Sequence, residues 1–177
     1  MGRRIRGKAA VFLKNYTSDV APSITIGRIK QLLIRVGCSS ISESYGSDGE
    51  IQAITFTIQI PGAARPMMIR IPSNVEGALT ALWLNYADGG SLSHNGNEVW
   101  GNGRKRRNKK SFRDQAQRTA WRLAQDWIEV QISMIQMQQA DILQVFLPYA
   151  WDGKQTYYDR LKGGGFKALL PPDESSP

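Results

Sequence analysis

The chain has 177 residues, a single cysteine, 41% hydrophobic residues and a formal net charge of +8. That length and apolar content suit one domain with a sizeable core, with no run of about 18 apolar residues to span a membrane. One cysteine, Cys38, builds neither an intramolecular disulfide nor a zinc cage and reads as a small core residue.

The charge is unevenly placed. Arg3, Arg4, Arg6 and Lys8 stand in the first eight residues, and Arg104, Lys105, Arg106, Arg107, Lys109, Lys110 and Arg113 crowd residues 104–113. These eleven leave 12 basic groups against 15 acidic ones, so the rest of the chain carries about −3. A near-neutral body with two cationic segments suits a polyanionic partner better than evenly spread charge does.

In chain order, residues 1–22 read as a basic arm, with turn formers and Pro22 but no periodic face. The apolar start is too short and too soon ended by Lys14 for a signal peptide, and Arg6 stands where myristoylation needs Ser or Thr. Ile26, Ile29, Leu32, Leu33 and Val36 recur at helical spacing, with Gly37 as a natural stop. Residues 39–45 form a weak strand candidate, and residues 46–49 a turn. Residues 51–60 alternate cleanly, placing Ile54, Phe56, Ile58 and Ile60 on one face and Thr55, Thr57 and Gln59 on the other. Residues 67–71 return as a third strand, with Met67, Ile69 and Ile71 inward, completing an antiparallel meander.

Ser73 and Glu76 are spaced as a capping box for a helix ending near Ala87, with Ala78, Leu79, Leu82, Trp83 and Tyr86 inward. Residues 88–103 are rich in Gly, Asn and Ser; with the basic run they predict a mobile loop over 88–110, anchored at most by Val99 and Trp100. Residues 111–147 hold neither glycine nor proline and predict one long central helix, capped by Ser111 with Asp114 three residues on, and stopped by Pro148. It carries two apolar stripes. One holds Ala120, Leu123, Ala124, Trp127, Met134, Ile135, Ile142 and Val145; the other holds Trp121, Ile128, Ile132, Leu143 and Phe146. Two stripes imply burial from two sides, the second by the C-terminal segment or another subunit. Asp152 is placed to cap a short last helix bearing Tyr157, Tyr158 and Leu161; Gly163–Gly165 breaks it, residues 166–170 dock, and residues 171–177 fray.

The expected fold is therefore α+β: an N-terminal helix, a three-stranded antiparallel meander, a capped helix, a mobile basic loop, one long central helix and a short C-terminal helix. The expected organisation is an arm over 1–22, one domain over 23–170 and a tail over 171–177.

The runs Asn15-Tyr16-Thr17-Ser18, Trp127-Ile128-Glu129-Val130-Gln131, Met137-Gln138-Gln139-Ala140 and 144–153 (QVFLPYAWDG) resemble an uncharacterised family of bacteriophage and mobile-element proteins. The resemblance spans nearly the whole chain and implies a phage or prophage setting in a bacterial cytoplasm. It carries over no activity and no site residues.

Arg and Lys at the density of residues 104–113 neutralise phosphates and release counterions with little sequence information. Trp100 and Phe112 bracket the run and suit stacking on unpaired bases. These residues, with Arg3, Arg4, Arg6 and Lys8, form the expected nucleic-acid site, for DNA more than RNA. The alternative is an interaction module, an inhibitor or adaptor that uses the two-faced helix and its tryptophans and includes a possible homodimer. No catalytic role is expected. His94 has no second His or Cys beside it, Asp48 and Glu50 sit at a turn, and the third strand lacks the acid that one class of metal-dependent nucleases places there. No phosphate-binding loop, nucleophile elbow or dinucleotide fingerprint occurs, so no cofactor and no metal are expected.

Overall fold

The structure, a computed structural model, describes residues 13–87 and 109–170. It is α+β, with five α-helices and one three-stranded antiparallel sheet among the described residues. The elements run α1 (Pro22–Arg35), β1 (Ser39–Tyr45), β2 (Ile51–Ile58), β3 (Met67–Pro72), α2 (Val75–Ala87), α3 (Arg113–Gln136), α4 (Ile142–Phe146) and α5 (Tyr157–Gly163). Short 3-10 turns span Lys109–Phe112, Leu147–Tyr149 and Lys167–Leu169. Among the described residues, contacts make two compact units, one drawn from residues up to Gln31 and from Ser73 to Glu129, the other from Leu32–Pro72 and from Val130 onward.

In the second unit the strand order is β1-β2-β3. The alternation of β2 places Ile54, Phe56 and Ile58 in the core, and their partners Ile71 and Ile69 on β3 are buried beside them. The ring of Phe146 from α4 meets Phe56 edge-on at 5.5 Å, an arrangement that suits two aromatic quadrupoles. The weak strand candidate is a real strand. β1 has no buried apolar face, but it pairs with β2 through an antiparallel ladder, to which hydroxyls add: Ser39 Oγ and Thr57 Oγ1 lie 3.0 Å apart. Its pairing is interrupted by two register shifts, and such irregularity keeps an edge strand from recruiting another chain.

Helix α1 starts with Pro22 at its first position, where a missing N–H costs nothing. It stops where expected. Gly37 takes a left-handed φ of 83° and donates to Ile34, while Cys38 donates to Leu33 at 3.1 Å, closing a Schellman motif. Leu33 and Cys38, the two positions that this motif pairs through apolar contact, are both buried.

The long helix differs from expectation. Helix α3 ends at Gln136 instead of continuing to residue 147. Gln138 adopts φ 58°, its N–H donates to Ile135, and that of Gln139 donates to Met134 at 2.9 Å. This is the same Schellman closure made without glycine. The chain then restarts at α4, where Asp141 accepts from Leu143 at 2.7 Å and Gln144 accepts from Asp141 at 2.8 Å. The start also shifts: Lys109–Phe112 is a 3-10 turn and α3 begins at Arg113. The Ser111 side chain, expected as the cap, lies outside what the structure describes. Of the two stripes, Trp121, Ile128 and Ile132 are buried, whereas Leu123, Ala124, Trp127, Met134 and Ile135 are half-buried.

Helix α2 is capped one residue later than expected. Asn74, at φ 47°, accepts the Gly77 N–H at 3.3 Å, so Ser73 is not the cap. A Cβ on Gly77 would lie 2.7 Å from the Asn74 carboxamide, so the glycine makes room for the cap. The last helix differs likewise. Thr156 caps α5 in a box with Asp159, and Asp152 instead accepts the N–H groups of Lys154 (2.8 Å) and Gln155 (2.9 Å) within the preceding turn. Phe166 lies 5.9 Å from Tyr158, but Leu169 and Leu170 are exposed and do not dock.

Holding a non-glycine residue in the left-handed region costs on the order of 1 kcal/mol or more. Urea denaturation of Gln138→Gly should therefore show equal stability or a gain of up to about 1 kcal/mol, and Gln138→Val a loss of roughly 1–2 kcal/mol. No loss in Gln138→Val would mean that the helix runs through this position.

Candidate nucleic-acid interface

The described end of the basic segment is fixed by apolar packing in the first unit. Phe112 is 3% exposed and sits in a cluster with Val75, Ala78, Leu79 and Leu82 of α2 and Ala116 and Ala120 of α3. Trp83 meets its ring at 6.3 Å. Burying such a ring contributes roughly 1.5–3 kcal/mol. The stacking role expected for Phe112 is thus corrected: the ring offers no free face to a base, because α2 covers it.

Polar side chains straddle that anchor. Lys109 Nζ donates to Thr80 Oγ1 at 3.3 Å, and the Arg113 guanidinium pairs with Glu76. Glu76 and Thr80 are one turn apart on α2, so they meet two cations spaced four residues apart on the other strand of chain. Arg113 is correspondingly only 30% exposed, and Glu76 balances its charge. Lys110 is exposed and forms no ion pair among the described residues. The other expected site residues, Arg3, Arg4, Arg6, Lys8, Trp100 and Arg104, Lys105, Arg106 and Arg107, lie outside the described residues, as does His94.

Residues 13–18, read from the sequence as part of an arm, are instead tied to α3. Thr119 Oγ1 donates to the Asn15 carbonyl (3.1 Å), and Gln115 Nε2 and Arg118 Nε both donate to the Ser18 carbonyl (3.1 Å each). Leu13 and Tyr16 pack against the same apolar cluster as Phe112. Asp126 is the hub of the charged part: Lys14 lies 2.7 Å from it, Arg122 3.2 Å, and Asn15 donates to it at 2.9 Å. Burial works to raise the Asp126 pKa, but the bonds from Lys14 and Asn15 and the charge of Arg122 outweigh it, leaving the carboxyl below its ordinary value. The Arg122–Asp126 pair, four residues apart on a helix, was the readable signal for this hub.

The second unit holds a cluster that no sequence motif announced. Arg70 donates to Ser44 Oγ at 2.7 Å, and its guanidinium lies 5.1 Å from the centre of the Trp151 ring. Asp152 is held down to about 2 by the backbone N–H groups of Gln155 and Lys154 and by the bond from Arg160. Asp48 accepts the Glu50 N–H at 3.0 Å, a turn-closing role that accounts for its position. Cys38 is buried, and desolvation pushes its thiol up to about 11. Among the described residues, no group of three or more His, Cys, Asp or Glu converges, and no helix is long and apolar enough to cross a membrane. Compared with family models, curated proteins and solved structures, the chain matches none.

Two outcomes follow from this geometry. Phe112→Ala should lower the unfolding free energy by roughly 3–5 kcal/mol, as truncation of a buried ring does, whereas Lys110→Ser should change it by less than about 0.5 kcal/mol. A mild Phe112→Ala would place the ring outside the core. Because its folded pKa is depressed, Asp126 contributes stability that is full above the unfolded value near 4 and fades as pH falls below it. Between pH 5 and 3 the parent should therefore lose more stability than Asp126→Asn, by up to about 1 kcal/mol; parallel acid limbs would contradict this.

Proposed function

We propose that this chain is a non-catalytic nucleic-acid-binding accessory protein of a phage or mobile element, acting in the bacterial cytoplasm on DNA more than on RNA. It contacts the phosphate backbone through residues 104–113, helped by Arg3, Arg4, Arg6 and Lys8. One observation carries the reading: the whole excess of positive charge falls in two short segments, and the rest of the chain is slightly acidic. Buried Phe112 supports it, since the ring gives the downstream end of the basic run a fixed footing. So does Lys110, exposed and unpaired among the described residues. Arg113 contributes least, because binding a phosphate would compete with Glu76.

A second reading, an interaction module that recruits a protein partner or a second copy, is favoured by Val130 and Met137. Both are apolar, lie at the C-terminal end of α3 and just beyond it, and are 55% and 59% exposed. A stable complex that resists nuclease and high salt would support that reading against the first.

Neutralising about five phosphates predicts a log–log dependence of affinity on salt with a slope of about −4 to −5. Mobility shifts with labelled single- and double-stranded oligonucleotides across a salt series measure it. Replacing Arg104, Lys105, Arg106, Arg107, Lys109 and Lys110 by Ser should abolish binding without changing the melting temperature. Affinity that survives the replacement would remove this segment as the contact.

A further inference from the structure

Within the second unit, an open groove of about 670 Å³ lies between the β2–β3 loop and the turn before α5. That volume falls within the range of small-ligand sites. Its lining residues include Trp151 and Tyr157, the flexible pair Met67 and Met68, and Arg65 and Arg160. The two aromatics arrive there through backbone pairing. Ala150 bridges Ile69 at the outer edge of β3, Trp151 N–H donates to the Met68 carbonyl at 2.8 Å, and Tyr157 N–H donates to Ala150 at 2.7 Å.

Trp151 is fixed in its side chain as well as its backbone, since Arg70 lies 5.1 Å from its ring centre and is itself anchored on Ser44. An aromatic ring whose orientation is already set loses little freedom when a planar group stacks on it. The charge lining the groove is positive on balance. Asp152 answers Arg160, while Arg65 is exposed and pairs with no carboxylate among the described residues. Two aromatic side chains beside a guanidinium that no carboxylate among the described residues answers match an unpaired base followed by its phosphate, the combination that single-strand binders use.

We propose that this groove is a subsite for single-stranded nucleic acid, in which Trp151 and Tyr157 stack on a base and Arg65 holds the adjacent phosphate. It rests on the nucleic-acid reading above and adds a strand preference that the basic segment alone does not provide. A base paired within a duplex cannot enter the groove, so the subsite acts on single strands only.

The test is fluorescence anisotropy with a labelled oligothymidylate of about a dozen nucleotides, and with a duplex of the same length, at one ionic strength. Stacking by one ring corresponds to about tenfold in affinity, so Trp151→Leu should weaken single-strand binding about tenfold and leave the duplex unchanged. Arg65→Ser, in an exposed loop where folding is not at stake, should weaken it about threefold with the same selectivity. Parental single-strand affinity in both variants overturns the proposal and leaves the groove to a polypeptide partner. The Ser replacement of the basic segment separates the two ideas. If it alone abolishes binding of both probes, the groove proposal falls and the basic-segment reading stands. If it spares single-strand binding that the groove variants weaken, the basic-segment reading falls and the groove proposal stands.

Discussion

Burial of Phe112 between α2 and α3 is the constraint from which the proposed interface follows. The densest charge in the chain ends two residues before a ring that is almost wholly removed from water. Like charges repel, so a free cationic run next to a helix start would tend to pull that helix end apart. The ring resists this by packing, and Lys109 and Arg113 on either side each meet a polar group of α2. The result is a basic segment whose downstream end is packed into the fold through Phe112 and whose residues 109 and 110 face water. A phosphate-binding segment gains from such a footing, because less freedom is lost when it is engaged.

Much of the architecture was legible because it depends on short-range pattern. The period-two alternation of β2 and the apolar spacing of α1 each predicted a buried face that the structure contains, and Gly37 predicted the stop, which takes a left-handed φ. Where reading failed, two local solutions competed. Ser73 and Asn74 can both cap α2, and the asparagine wins because it tolerates a left-handed backbone and Gly77 leaves room for its carboxamide. Asp152 and Thr156 can both precede a helix, and the turn takes the aspartate. The break at Gln138 had no glycine or proline to announce it. Its one sequence trace was the spacing of Asp141 and Gln144, a capping box embedded in what read as continuous helix.

The candidate sites were less legible, for a physical reason. Composition shows where charge is concentrated, but not which cations are already answered. Arg113 looked equivalent to Lys110 until Glu76, 37 residues away, was found beside it. Phe112 looked like a stacking residue because aromatic rings flanking a basic run have that use, and its helical spacing to Ala116 and Ala120 was the signal for the core instead. The groove beside Trp151 is set by pairing between Ile69 and Ala150, a contact across 81 positions of sequence that no local motif encodes.

Chemical footprinting of lysines with an acetylating reagent tests the central claim most directly, because it reports which cations a ligand covers. On adding an oligonucleotide at low salt, Lys105, Lys109 and Lys110 should lose reactivity, whereas exposed Lys167 should keep it. Unchanged reactivity at those three positions in a protein that has demonstrably bound the oligonucleotide would contradict the account.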